Sequence, residues 1–196
     1  MRQNYKPYKI PTFGYPKLRL NLIVEYTDGS RQTIASDISW KLTTEGPIRS
    51  NNEYDGEEYD ARKELGDWNR TGYDDTNWIP AGRVSIPSGT LRAQMMPSMK
   101  VTESLKPVSI RKQGDKHILD IGQNMAGWLR IRIKGQAGDS IRLRFAERLQ
   151  PDGEIFTKNL RDAHCTDIYV VSGREPQDAT CLLYTSPSPR DKRQSR

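Results

Sequence analysis

The chain has 196 residues, 34% of them hydrophobic, with 12 prolines and 15 glycines, room for one or two domains and a composition that favours turn-rich β structure over helices. No apolar run approaches the ~20 residues that span a bilayer, and the first residues lack the apolar core of a secretory leader, so no membrane partner is expected. The net charge of +6 would invite a nucleic-acid reading, but Arg190, Lys192, Arg193 and Arg196 against Asp191 supply half of it in the last residues, and no nucleic-acid partner is expected.

Residues 1–17 are rich in Tyr, Lys and Pro and carry no repeating pattern. Leu18, Leu20, Leu22, Val24 and Tyr26 then alternate with mostly polar neighbours, the period of two of a half-buried strand. They run into Asp28-Gly29, a dipeptide that supplies the backbone angles of a tight hairpin turn, and Gln32–Ala35 is the returning strand. Residues 36–40 lead into another short strand, which ends by Pro47.

Residues 51–62 form the most acidic stretch, with Glu53, Asp55, Glu57, Glu58 and Asp60 crowded together. Such carboxylates repel one another unless solvated, paired with arginine or bridged by a cation. An EF-hand register starting at Asn51 puts Gly56 correctly at its sixth position but Arg62 at the twelfth, where a bidentate glutamate is needed, so that motif is excluded. Trp68 and Trp78 suit either a sugar platform or a β-sandwich core, and core packing is the expectation. From Gly82 to Lys106 alternation is lost and Pro87, Gly89, Met95, Met96, Pro97 and Met99 gather, which reads as a connection between domains.

Pro107–Arg111 and Lys116–Ile121 are the next strands. The clearest signal follows. Leu129, Ile131 and Ile133 share one face and Arg130, Arg132 and Lys134 the other; Gly135–Gly138 breaks the run; Ile141, Leu143 and Phe145 then alternate with Arg142 and Arg144. The segment reads as a hairpin with one dry side and five cations on the opposite sheet face. Glu147–Gly153 is a polar turn, Glu154–Phe156 a short strand, and Asp167–Val171 a strand of high β propensity that Gly173–Pro176 ends. Cys165 and Cys181 make no disulfide framework, and His117 and His164 are too scattered for a metal site, so there is no compartment signal.

Two groups of motifs resemble one family. Tyr54-Asp55-Gly56-Glu57, Tyr59-Asp60-Ala61-Arg62, Gly66-Asp67-Trp68, Gly72-Tyr73-Asp74-Asp75 and Trp78-Ile79-Pro80-Ala81 are similar to the N-terminal β-sandwich domain of bacterial α-L-rhamnosidases. The run from Asp120 to Trp128, with Ala146-Glu147, Pro151-Asp152-Gly153, Asn159-Leu160-Arg161 and Ala163–Asp167, resembles the β-sandwich domain that precedes their catalytic barrel.

The resemblance implies an all-β fold, two incomplete antiparallel β-sandwich (jelly-roll-like) domains in tandem. Residues 1–92 would be the carbohydrate-binding-like N-terminal domain, truncated at its start; 93–106 a linker; and 107–180 the concanavalin-like domain, truncated at its end. Residues 181–196, beginning Cys181-Leu182-Leu183-Tyr184-Thr185-Ser186-Pro187, resemble a translated sequencing-library adapter, and a non-native disordered tail is expected there. Open sheet edges would make such a piece aggregate.

By the same resemblance the parent protein hydrolyses terminal non-reducing α-L-rhamnose from glycosides with inversion, and its carboxyl pair lies in an (α/α) barrel beyond residue 180. No catalytic residue is assigned to this chain. Its partners would be rhamnose-containing glycosides or polysaccharides and the catalytic domain of the same polypeptide. Candidate carbohydrate contacts are Tyr54, Glu57, Tyr59, Asp60, Arg62 and Trp68, and candidate metal ligands are Asp55 and Glu57. Calcium is the one cofactor admitted, and none is required. The structural counter-reading makes Tyr59, Asp60 and Arg62 a buried hydrogen-bonded corner between strands. An alternative of another class is a stand-alone β module that binds an anionic polymer through Arg130, Arg132, Lys134, Arg142 and Arg144; like charges opposed across strands and the lack of interleaved aromatics weigh against it.

Overall fold

The computed structural model describes residues 17–52, 54–85, 90, 92–98 and 100–174, and the backbone of 177–183. Expectations for residues 1–16, Glu53, Pro87, Gly89, Met99, Pro176 and the tail from Tyr184 lie outside the described residues. The chain is built of short strands: β1 (Asn21–Glu25), β2 (Arg31–Ala35), β3 (Lys41–Leu42), β4 (Ile48–Asn52), β5 (Gly56–Asp60), β6 (Ile79–Pro80), β7 (Ser109–Gln113), β8 (Lys116–Asp120), β9 (Gly127–Ile133), β10 (Ser140–Arg144), β11 (Thr166–Val170) and β12 (Gln177–Leu183). Among the described residues no helix is long and apolar enough to cross a membrane.

The chain divides into two compact units, one of Met1–Gly46 with Leu65–Met95 and one of Pro47–Glu64 with Met96–Arg196. Residues 47–64 therefore sit with the second half of the chain, although the sequence groups them with the strands on either side of them. In the first unit β1 and β2 pair antiparallel with Leu22 opposite Ile34. The turn forms where Asp28-Gly29 predicts it: the Asp28 carboxylate accepts from the Ser30 N–H at 2.8 Å and Gly29 takes a φ of 82°. In β1 only Val24 is half-buried, so the alternation of apolar residues is not matched by a covered face. β3 pairs with β6, and Lys41 Nζ bonds Asp75 Oδ1 beside that pair at 2.8 Å.

The second unit contains a four-stranded sheet in the order β10-β11-β5-β4, a β12-β9 pair and a β7-β8 hairpin. β11 and β5 run parallel, whereas the other neighbours are antiparallel. The hairpin expected of 128–145 does not form: β9 pairs with β12 and β10 with β11. The connection between β9 and β10 hydrogen-bonds instead to the end of β11, Gly138 N–H to Val171 O at 2.9 Å and Val171 N–H to Asp139 O at 2.8 Å, and so passes the chain from one sheet to the other.

The predicted alternation is nevertheless present. Leu129, Ile131, Ile133, Ile141 and Leu143 are the more covered side chains, and the cations between them are exposed. Ile133, Tyr169, Val171 and Ala61 form the buried core, with Ile131, Ile141 and Tyr59 packed against it. A period of two fixes which face is dry but not which strand lies alongside. Because β9 and β10 turn their apolar faces to one shared core from different sheets, the five cations do not share a sheet face. The expected disordered tail is also corrected at its start: Cys181, Leu182 and Leu183 belong to β12, opposite Leu129, Trp128 and Gly127.

Candidate functional site

The site begins with the turn between β4 and β5. Asn52 Oδ1 accepts from the N–H groups of Tyr54 at 2.8 Å and Asp55 at 3.1 Å, and Asn52 Nδ2 donates to Asp55 Oδ2 at 2.8 Å. Gly56 follows with φ +103°, and a Cβ there would overlap the Thr166 carbonyl and come within 2.7 Å of Asp167 Oδ1. Only glycine fits that close approach.

The loop before β11 lies against this turn. Cys165 N–H donates to Tyr54 O at 3.0 Å and Thr166 N–H to Asp55 O at 2.9 Å. Asp55 Oδ1 in turn faces His164 Nδ1 at 3.4 Å. Glu57 N–H donates to Asp167 Oδ1 at 2.9 Å. Tyr54–Glu57 of the first motif group and His164–Asp167 of the second, far apart in sequence, thus interlock. Asp167 is 2% exposed, its Oδ2 has no hydrogen-bond partner, and burial pushes its carboxyl above the usual carboxylate range.

Beyond the turn, Asp60 is buried and takes a two-pronged contact from Arg62, Nε to Oδ1 and Nη2 to Oδ2, both at 2.8 Å. The Arg62 hydrogen bonds hold the Asp60 carboxyl below its usual range. Tyr59 stacks on Tyr169 with ring centres 5.5 Å apart and planes 4° from parallel. Its hydroxyl donates to Glu64 Oε1 at 3.1 Å, and burial, with Glu64 beside it, raises the phenol pKa. Tyr59, Asp60 and Arg62 are therefore all engaged locally, but not as one buried corner: Tyr59 bonds Glu64, while Asp60 pairs with an exposed Arg62 two residues on.

Of the other expected sugar contacts, Tyr54 is 48% exposed and Trp68 56% exposed. Trp68 belongs to the first compact unit and the other five to the second, and its exposure corrects the expectation that it packs into a core. Trp78 is half-buried and meets Tyr73 edge to face at 5.8 Å.

The expected metal ligands are both engaged within the fold. The Asp55 carboxylate is engaged by Asn52 and His164, and Glu57 Oε2 accepts from Asn51 Nδ2 at 2.6 Å. Among the described residues no group of three or more His, Cys, Asp or Glu could hold a metal ion, whereas Ca²⁺ takes 6–8 oxygen ligands.

The outer face of the four-stranded sheet forms a groove of about 350 Å³. Of the expected sugar and metal contacts, Asp55 and Glu57 line it, and of the cations of the alternative reading, Arg142 and Arg144; Glu58, His164, Thr166 and Ile168 join them. The alternation in β10 was enough to put Arg142 and Arg144 on one face. That β11 and β5 lie beside it has no local signal, since the parallel pairing joins segments on the order of a hundred residues apart.

Residues 1–103 match the family described as alpha-L-rhamnosidase N-terminal domain, and residues 110–188 match the bacterial alpha-L-rhamnosidase concanavalin-like domain. The chain belongs to the bacterial α-L-rhamnosidase family. An α-L-rhamnosidase of Streptomyces avermitilis is 41% identical over 169 residues, 81% of this chain and 16% of that protein. The crystal structure of a Streptomyces avermitilis α-L-rhamnosidase complexed with L-rhamnose superposes with a TM-score of 0.76 at 34% identity, over 86% of this chain and 18% of that one. The α-L-rhamnosidase of Dictyoglumus thermophilum gives 0.81 at 33% identity, over 95% of this chain and 23% of that one. The chain thus spans less than a quarter of each of these rhamnosidases.

Proposed function

We propose that this chain is a non-catalytic portion of an α-L-rhamnosidase that removes terminal non-reducing α-L-rhamnose from glycosides or polysaccharides by an inverting mechanism, with the catalytic domain as its partner in the same polypeptide. The observation that carries the reading is the succession of two rhamnosidase domain matches in one chain, at 41% identity to a protein of which it spans 16%. The carboxylates support it. Inversion needs an acid and a base roughly 6.5 to 9.5 Å apart, free to meet substrate and water. Of the described carboxylates in the acidic stretch, Asp60 is tied to Arg62, Asp55 to Asn52 and His164, and Glu57 to Asn51, which leaves Glu58 without a second unengaged carboxylate beside it there.

The two family domains meet, on this reading, in the linker expected at 93–106. Tyr54 and Trp68 are the sugar contacts carried forward, because their rings are exposed while Tyr59, Asp60 and Arg62 are committed to the fold. The test is rhamnose release from a chromogenic rhamnoside by the chain alone and by the chain joined in frame to the catalytic part of a relative. The joined protein is expected to release rhamnose and the chain alone is not; a joined protein that folds and is inert contradicts the reading.

A further inference from the structure

We propose that the groove on the outer face of the β10-β11-β5-β4 sheet binds a saccharide bearing a single carboxylate, a hexuronate-type sugar, with Arg142 and Arg144 taking the carboxylate and Glu58 accepting from ring hydroxyls. The inference goes beyond the proposed function and rests on a surface that function does not use.

The register places the groups. Glu58 lies opposite Ile168, and Ile168 opposite Arg142. The Glu58 carboxylate and the Arg142 guanidinium thus rise from strands two spacings apart, roughly 10 Å, with only Ile168 between. Arg144 stands two residues along the same face of β10, opposite Thr166. Gly56, which lines the groove and contributes no side chain, keeps the floor low there. The resulting hollow of about 350 Å³ is within the size range of small-ligand sites.

Among the described residues the side chains of Glu58, Arg142 and Arg144 form no hydrogen bond or ion pair, in contrast to the closed Asp60–Arg62 pair. Two guanidiniums on alternate positions of one strand repel, and a planar carboxylate between them satisfies both with charge-assisted bonds. Glu58 on the far side accepts from hydroxyls, and Ile168 offers apolar surface to the C–H face of a sugar ring.

The same groups argue against other ligands. A polyanion would lay further charges against Glu58, Asp55 and Glu57, which also line the groove, and Arg130 and Arg132 are on β9 in the other sheet. A neutral sugar offers the guanidiniums hydroxyl acceptors but no charge to balance theirs, and so forgoes the stronger charge-assisted bonds.

The test titrates the full chain by calorimetry or NMR with methyl β-D-glucuronide, its uncharged methyl ester, L-rhamnose and heparin. The glucuronide is expected to bind saturably, and the ester at least tenfold more weakly. Arg142→Ala and Arg144→Ala should each weaken glucuronide binding about tenfold. Arg144→Lys should not restore it, because a lysine lacks the planar fork. Glu58→Gln should raise the affinity for heparin. Equal binding of acid and ester, no binding of the acid, tighter and steeply salt-dependent heparin binding, or arginine variants that bind like the parent would each overturn the proposal. The acid-to-ester comparison uses the unaltered chain, so it decides even where a variant folds poorly. Rhamnose release by the joined protein reads the proposed function separately, since neither arginine is placed in it.

Discussion

The main-chain N–H of Glu57 donates to the carboxylate of Asp167, 110 residues further along the chain, at 2.9 Å. This bond ties the acidic β4–β5 turn to the buried face of β11. Beside it Gly56 passes so close to Thr166 that no side chain can stand there.

Gly56→Ala should therefore destabilise the second unit by about 2–4 kcal/mol, combining a strained positive φ with a backbone clash. Gly29→Ala is the control, since it also has a positive φ but nothing within 4 Å of the added carbon; it should cost only about 1 kcal/mol. Urea unfolding followed by circular dichroism checks both.

Asp167 and Asp60 should give stability opposite dependences on pH. Burial holds the Asp167 pKa above its unfolded value, so the fold binds that proton more tightly than the unfolded chain does. Its contribution is full below the ordinary carboxylate value of about 4 and is lost as pH rises through the folded pKa. Asp60 is held low by Arg62, so its contribution is present above its unfolded pKa and lost as pH falls through the folded one. Asp167→Asn should flatten the fall on the neutral side, and Asp60→Asn the loss on the acid side. Thermal melts across pH 3 to 8, a range of about 5 units around these values, compare the variants.

The shared core of the second unit predicts where truncation hurts. Ile133 is buried in it with Tyr169 and Val171, so Ile133→Ala should cost about 2–4 kcal/mol. Ile110, 63% exposed, should cost less than about 1 kcal/mol when changed to Ala. Denaturant midpoints of the two variants give the comparison.

Exposed apolar side chains on the short hairpins predict self-association. Ile23 of β1 is 60% exposed and Ile110 of β7 63%, each on a two-stranded sheet. The chain should scatter light increasingly with concentration, and Ile23→Lys with Ile110→Lys should reduce that scattering while keeping the β-type circular dichroism. Unchanged scattering would place the sticky surface elsewhere.

What the sequence made legible was local. Asp28-Gly29 specified its turn, and the alternation from Trp128 to Arg144 correctly sorted dry faces from wet ones. It could not show that β9 leaves its sequence neighbour for β12, because loop residues 134–139 bond to the end of β11, a contact with no local signature. The acidic run at 51–62 hid two strands for a similar reason. The side chains of Asp55, Glu57 and Asp60 are engaged by Asn52, Asn51 and Arg62 nearby, and the Glu57 main-chain N–H by Asp167 far away in sequence, so hydrophobic periodicity was never the signal that placed it. The Asp60–Arg62 pair is a short-range contact between residues two apart, whereas the Tyr59 hydroxyl turns to Glu64, a partner the sequence did not single out. The groove needed the parallel β11–β5 register before Glu58 and Arg142 could be seen as neighbours.

The central claim is that this chain is rhamnosidase scaffold and carries none of the carboxyl chemistry that cleaves the glycoside. The most direct measurement is incubation of the purified chain with a chromogenic α-L-rhamnoside. The account predicts no release above the uncatalysed rate, with release appearing once a relative's catalytic part is joined in frame. Turnover by the chain alone at an enzyme-like rate, on the order of 1 s⁻¹ or faster, would contradict it.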